Sequence, residues 1–127
     1  MTLLVDTHAF LWFMTGDARL SASARRTMED ASAGWCLSAA SVWEMAIKSS
    51  LGRLTLPAAV AEYVAGKVRA GLVVLPVEWS HAAAVETLPH HHADPFDRLI
   101  IAQAQAEGLS VVTRDAVFHD YGVRVIW

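Results

Sequence analysis

Short, unbroken apolar runs alternate along this chain with longer stretches of helical periodicity. Leu3-Leu4-Val5, Trp35-Cys36-Leu37, Leu72-Val73-Val74-Leu75 and the segment from Leu109 to Val112 each read as a buried strand, and Val123 to Ile126 reads as a last, edge-like one. The intervals carry helix signals. One helix is predicted from about Thr7 to Met14, broken by Gly16-Asp17. A second is capped by Ser21 and runs to about Ala31. A third, capped by Ser38, runs from about Ala40 to Leu51 and stops at Gly52. Pro57 suits the first turn of a fourth, which extends to about Ala70 and ends at Gly71. Ser80 to Leu88 is helical, and Asp94-Pro95 opens a further helix to about Glu107, closed by Gly108.

Continuous apolar strands separated by helices predict a mostly parallel central sheet covered on both faces, a three-layer α/β/α domain. The 127 residues are enough for one such domain, spanning 1–127. In folds of this kind ligands sit beyond the carboxyl ends of the strands. Asp6 and Asp115 fall just past two predicted strand ends, so both are expected to face that crevice.

Composition narrows the class. The single cysteine, Cys36, excludes an intrachain disulfide, and its place in a buried strand makes it a poor nucleophile. The N-terminal stretch has no basic region followed by an apolar one, and no apolar run approaches the roughly 18–20 residues of a membrane span. The expected location is therefore the cytoplasm, away from any membrane. Hydrophobic residues make up 54 % of the chain, mean hydropathy is +0.34, and there are five tryptophans. That apolar excess suggests surface covered by a partner or a second copy. The net charge of −3 at first argues against a nucleic-acid ligand. Setting aside five acids as a metal site leaves eight acids against ten bases, so charge permits such a ligand without pointing to one.

Five acids are candidates for the chemistry, and each has an ordinary alternative. Asp6 could simply cap the helix that starts near Thr7. Glu44 stands four residues before Lys48, the favoured orientation for a surface pair, yet Trp43, Met45 and Ile47 leave its helix little wet surface. Asp94 and Asp97 share one face of a helix start; Asp94 fits an N-cap well, and Asp97, one turn in, fits it less well. Asp115 follows Val111-Val112-Thr113-Arg114 and could be a loop acid starting a turn. Thr113 could bond a neighbouring carboxylate, and Arg114 could meet phosphate or balance charge. Brought together, ionised acids repel unless a hard cation neutralises them, and oxygen-only ligands select Mg²⁺ or Mn²⁺. The run His90-His91-His92 is a weak zinc candidate, because adjacent imidazoles do not converge on one ion; a loop packed near the Asp94 helix start is the better reading. His8 reads as structural.

These residues resemble a known family. Val5-Asp6-Thr7-His8, Trp43-Glu44, the segment from His91 through Asp94-Pro95-Phe96-Asp97-Arg98 to Ala104, and Val112-Thr113-Arg114-Asp115 are similar, in order and spacing, to PIN-domain nucleases, above all the VapC-like toxins of toxin–antitoxin pairs. The likeness runs to the closing Tyr121–Trp127 segment. It implies a Mg²⁺-dependent endoribonuclease, a homodimer, and neutralisation by a cognate antitoxin protein. It assigns the acidic quartet to Asp6, Glu44, Asp97 and Asp115, which would hold the metal (Mg²⁺, with Mn²⁺ plausible) and cleave RNA phosphodiesters with an activated water. Asp94, Thr113, Arg98 and Arg114 would support it. Trp12, Phe13 and Trp43 are candidates for a groove that accepts an antitoxin segment.

Three other readings compete. The same metal site could serve a phosphatase or a DNA-directed nuclease. The fold could be a PIN-like binding module without turnover, which the intact acidic set argues against. A phosphoryl-accepting receiver domain also clusters acids at strand ends, but it needs a lysine near the last strands. Here the only lysines, Lys48 and Lys67, fall on predicted helices. RNA selection would turn on loop shape and on basic residues such as Arg53, Lys67 and Arg69.

Overall fold

A computed structural model describes residues 2–30 and 32–127. Five strands form one sheet: β1 (Leu3–Val5), β2 (Trp35–Ser38), β3 (Val73–Leu75), β4 (Ser110–Val112) and β5 (Val125–Ile126). Their spatial order is β3-β2-β1-β4-β5, and every pairing is parallel. The chain lays down β1, β2 and β3 outward in one direction. It then returns to the other side of β1 for β4 and β5. The order therefore reverses between β1 and β4, and that switch point opens a crevice at the carboxyl ends of these two strands.

Strand side chains alternate between faces, and each face has its own core. Leu4, Cys36 and Val111 point to one side. They pack with Ile100, Ile101 and Ala104 of α6 (Pro95–Glu107) and with Leu88, Phe118 and Tyr121. Leu3, Val5, Leu37 and Val112 point to the other. There they meet Ala9 and Phe10 of α1 (Thr7–Thr15), Ala24 and Met28 of α2 (Ala22–Glu29), and Met45 of α3 (Ala39–Ser50). The result is the expected three-layer α/β/α arrangement, with a fully parallel sheet.

Several boundaries differ from expectation for local reasons. The fourth helix, α4, spans Val60–Arg69 and starts three residues after Pro57. Proline tolerates a first turn without imposing one, and here packing of Val60, Tyr63 and Val64 against the second core sets the start. The helix expected from Ser80 begins earlier, as α5 (Trp79–Ala84), and gives way to a 3₁₀ turn at Val85–Thr87. Its cap is Glu78, whose amide donates to Nδ1 of His81 at 3.0 Å. β3 is an edge strand and not a buried one, with Val73 48 % exposed. A further 3₁₀ turn, Ala116–Tyr121, carries Phe118 and Tyr121 into the core. Ala31, the expected end of the second helix, lies outside the described residues. Among the described residues, no helix is long and apolar enough to cross a membrane.

Candidate active site

Three of the sequence-selected acids open helical segments at the same end of the sheet. Asp6 follows β1, its amide donates to the Val112 carbonyl of β4 at 3.0 Å, and its Oδ1 caps α1 by accepting the Ala9 amide at 2.7 Å. Asp94 caps α6, with Oδ1 accepting the amides of Phe96 at 2.8 Å and Asp97 at 3.3 Å. Asp115 starts the 3₁₀ turn after β4, with Oδ1 accepting the Val117 amide at 3.0 Å. Capping and site-building are therefore not alternatives here. Each cap uses one carboxylate oxygen, and two of the three capping acids, Asp6 and Asp115, also line the crevice.

Asp6, Asp97 and Asp115 line one cleft of about 520 Å³, together with His8, Trp12, Arg19 and Arg114. Glu44 is not among its lining residues. It stands behind the cleft, buried, with Oε1 accepting the Thr7 hydroxyl at 2.7 Å and Oε2 accepting Lys48 Nζ at 2.7 Å. The expected pairing with Lys48 is present, but as a partly buried contact and not as a solvated surface pair, because Glu44 is an interior acid. Its charge reaches Asp6 and Asp97, adding to the upward displacement of both.

The electrostatics follow from that crowding. Burial pushes the Asp97 carboxyl up to about 7; Asp94 raises it next, His92 opposes, and Asp6 and Glu44 add further. Burial also raises Asp6, against the neighbouring Thr113 hydroxyl, the Ala9 amide and His8. Thr113 is fully buried, and its Oγ1 accepts the Asp115 amide at 3.0 Å, which shapes the turn leading into that acid.

His92, which the sequence reading set aside in favour of a loop packed near the Asp94 helix start, lies in that loop and against two of the acids. Its Nε2 lies 2.6 Å from Asp115 Oδ2 and 3.1 Å from Asp97 Oδ2, while its Nδ1 accepts the Asp94 amide at 3.1 Å. Three ligand atoms, from His92, Asp97 and Asp115, fall within 4.8 Å of one another. The available signal was proximity, since His92 precedes Asp94 by two residues. His8 is exposed on the cleft and tilted against Trp12, with ring centroids 5.8 Å apart, so it is not a core histidine.

The four basic and polar residues expected to support the acids divide. Arg114 is at the cleft, its guanidinium 5.7 Å from the Trp12 ring centre, and Arg19 lies over the same ring at 5.0 Å. Arg98 departs from expectation. It is buried, and it donates to the carbonyls of Pro89, Val85 and Leu88 and to the Tyr121 hydroxyl. It secures the loop that carries His92 and makes no bond to a site acid. Thr113 and Asp94 act through the caps and turns described above. Among the partner-groove candidates, Phe13 packs edge-on against Trp35, and Trp43 stands 59 % exposed against Phe96. Cys36 is buried, which pushes its thiol up to about 11.

Comparison with known proteins agrees with this architecture. A family model described as PIN domain matches residues 3–123. A search of curated proteins found no match. Among solved structures, a chain of VapBC2 from Rickettsia felis, bound to a DNA fragment from its promoter, superposes with a TM-score of 0.69 at 13 % identity, covering 98 % of this chain and 97 % of that one. A chain of DNA-bound VapBC from Salmonella typhimurium gives 0.66 at 18 %, covering 98 % and 96 %. A chain of FitAcB from Neisseria gonorrhoeae gives 0.63 at 20 %, again covering 98 % and 96 %. At these identities the structures speak for the fold, and the family model, spanning nearly the whole sequence, speaks for descent: the chain belongs to the PIN domain family.

Proposed function

We propose that this protein is a metal-dependent endoribonuclease, the toxin of a toxin–antitoxin pair, acting on RNA phosphodiesters. The observation that carries the reading is the gathering of Asp6, Asp97 and Asp115 in one cleft with Glu44 behind it. Such crowding is unfavourable by itself: an acid displaced to about 7 is one that its neighbours and its burial discourage from ionising. A divalent cation would reverse that balance, and an oxygen-rich donor set suits Mg²⁺ or Mn²⁺. The residues fit the ion on this ground.

When bound, the ion would supply water activation and neutralisation of the charge growing on the phosphate. Asp6, Asp97 and Asp115 offer the oxygens to hold it. Glu44, fixed by Thr7 and Lys48, adds negative potential from behind. In this reading Arg114, over Trp12 at the cleft mouth, meets the substrate's phosphates, with Arg19, held by Asp17 over the same ring, beside it.

The toxin role draws support from the neighbours, whose descriptions name VapBC and FitAcB assemblies. A protein antitoxin and a second copy of this chain are the proposed partners, and exposed apolar residues such as Trp43 and Trp79 are consistent with covered surface. The cytoplasm is the proposed location.

The test is a substrate panel of single-stranded RNA, single-stranded DNA and a phosphomonoester, each with Mg²⁺ and with excess chelator. RNA cleavage that needs the ion, and that falls at least about 100-fold in Asp97→Asn, is the expected result. Preference for DNA or the monoester would replace RNA as substrate. No turnover on any of them would leave a binding module.

A further inference from the structure

We propose that His92 is a positioning residue of the acidic site: its ring, held as the neutral Nε2–H tautomer, bridges Asp97 and Asp115 and presets their oxygens for a divalent cation. The proposal rests on the metal-dependent reading above and adds to it a residue outside the acidic quartet.

The tautomer follows from the hydrogen bonds. Asp94 N–H points at Nδ1 from 3.1 Å, so Nδ1 must carry the lone pair and the neutral ring must carry its proton on Nε2. That single N–H faces Asp115 Oδ2 at 2.6 Å and Asp97 Oδ2 at 3.1 Å. One donor thus ties two carboxylates from different elements, one on α6 and one after β4. The same geometry disfavours His92 as a direct ligand. Ligation through Nε2 would need the lone pair there and the proton on Nδ1, which would then face the Asp94 N–H donor to donor.

The surroundings hold the imidazole in place. The amides of His91 and His92 both donate to the Tyr121 hydroxyl, at 3.0 and 2.9 Å. That hydroxyl donates to the Pro89 carbonyl at 2.7 Å, which also accepts Arg98 Nη1 at 2.8 Å. Phe118 meets the His92 ring edge-on, with centroids 6.1 Å apart. A buried arginine, a buried tyrosine and a buried phenylalanine therefore converge on the short loop that delivers this ring. Partners that orient ligating carboxylates typically change metal affinity by about 10–100-fold when removed.

The experiment titrates Mn²⁺ into the purified full chain by calorimetry, comparing the unaltered protein with His92→Ala and His92→Gln; thermal melts verify that both variants fold. Glutamine keeps an amide N–H at about the reach of Nε2. His92→Ala is expected to bind Mn²⁺ about 10–100-fold more weakly, with His92→Gln recovering most of the loss. Pulsed electron paramagnetic resonance of the Mn²⁺-loaded protein is expected to show no directly coordinated imidazole nitrogen. Equal affinities in the unaltered chain and His92→Ala overturn the positioning role while leaving the metal site standing. A directly bound histidine nitrogen that disappears in His92→Ala overturns it in favour of ligation. Failure of the unaltered chain to bind Mn²⁺ overturns the metal-dependent reading and this proposal together.

Discussion

The Thr7 hydroxyl donates to Glu44 Oε1 at 2.7 Å and joins the start of α1 to the middle of α3 across 37 positions of sequence. With its single proton given to Glu44, Thr7 Oγ1 accepts from the Ser41 hydroxyl at 2.8 Å, so one hydroxyl organises the interior side of the acidic cluster. All three residues are buried. The contact sets how close Glu44 stands to the acid just before Thr7, because Asp6 and Thr7 are consecutive. It links a hydrogen bond that any fold could contain to the electrostatics of the cleft.

Thr7→Val keeps the shape and removes the donor. A buried carboxylate oxygen would lose its partner, which costs about 1–3 kcal/mol. Urea unfolding should show a loss of that size in Thr7→Val and little in Thr7→Ser. Equal midpoints for Thr7→Val and the unaltered chain would mean that Glu44 finds other solvation.

Asp97 makes the metal-free protein less stable as the solution becomes more alkaline. Its carboxyl is displaced from 3.8 to about 7 on folding, so between those values the folded chain binds more protons than the unfolded one. Stability then falls as pH rises through that window and levels off above about 7. Asp97→Asn removes the titrating group. In chelator, the stability difference between Asp97→Asn and the unaltered chain should grow in the variant's favour from pH 5 to pH 8. Saturating Mg²⁺ should shrink or invert it at pH 8. A difference that does not vary with pH would show that Asp97 titrates normally.

The strand cores and caps were legible because they are local. Leu3-Leu4-Val5 followed by an acid, or Asp94 followed by Pro95, needs only near neighbours to be read. The convergence of Asp6, Asp97 and Asp115 was legible only through the strand-end rule and the family resemblance. Two assignments near α6 needed geometry. Arg98 looked like a site residue because it follows Asp97. Consecutive positions on a helix do not share a face, so Arg98 turns to the Pro89, Val85 and Leu88 carbonyls while Asp97 stays at the cleft. His92 was set aside because three adjacent imidazoles do not converge on one ion. One of the three, folded back by the loop, reaches both acids.

Arg98 should be among the most sensitive positions for stability and a poor probe of chemistry. Its guanidinium satisfies three carbonyls and a hydroxyl in a buried setting. Arg98→Ala leaves those acceptors unpaired, and a loss above about 3 kcal/mol is expected. Arg98→Lys should rescue little, because an ammonium cannot reproduce the planar fork. Denaturation midpoints decide the matter, and a loss under 1 kcal/mol would remove Arg98 from the scaffold.

Arg114 should behave in the opposite way. It is exposed, it lies over Trp12, and it makes no ion pair among the described residues, so Arg114→Ala should change stability by less than about 0.5 kcal/mol. If its guanidinium meets RNA phosphate, the same change should weaken RNA binding. It should also reduce the slope of log affinity against log salt by about 0.7 for one lost contact to a single strand. Fluorescence anisotropy with single-stranded RNA on the inactive Asp97→Asn background measures both quantities without cleavage. Lys67 supplies the control. It lies over Tyr63 and lines a different cavity with Trp35, Leu72 and Val73, where β2 and β3 begin, at the far end of the sheet from the acids. Lys67→Ala should leave affinity and slope unchanged, although the sequence names it with Arg53 and Arg69 among the basic residues on which RNA selection would turn. Arg53 instead lines a cavity that shares His8, Trp12 and Arg19 with the acidic cleft, so Arg53→Ala should follow Arg114→Ala. Equal losses from Lys67→Ala and Arg114→Ala would mean that the RNA is held by diffuse charge and not by a track leading to the acids.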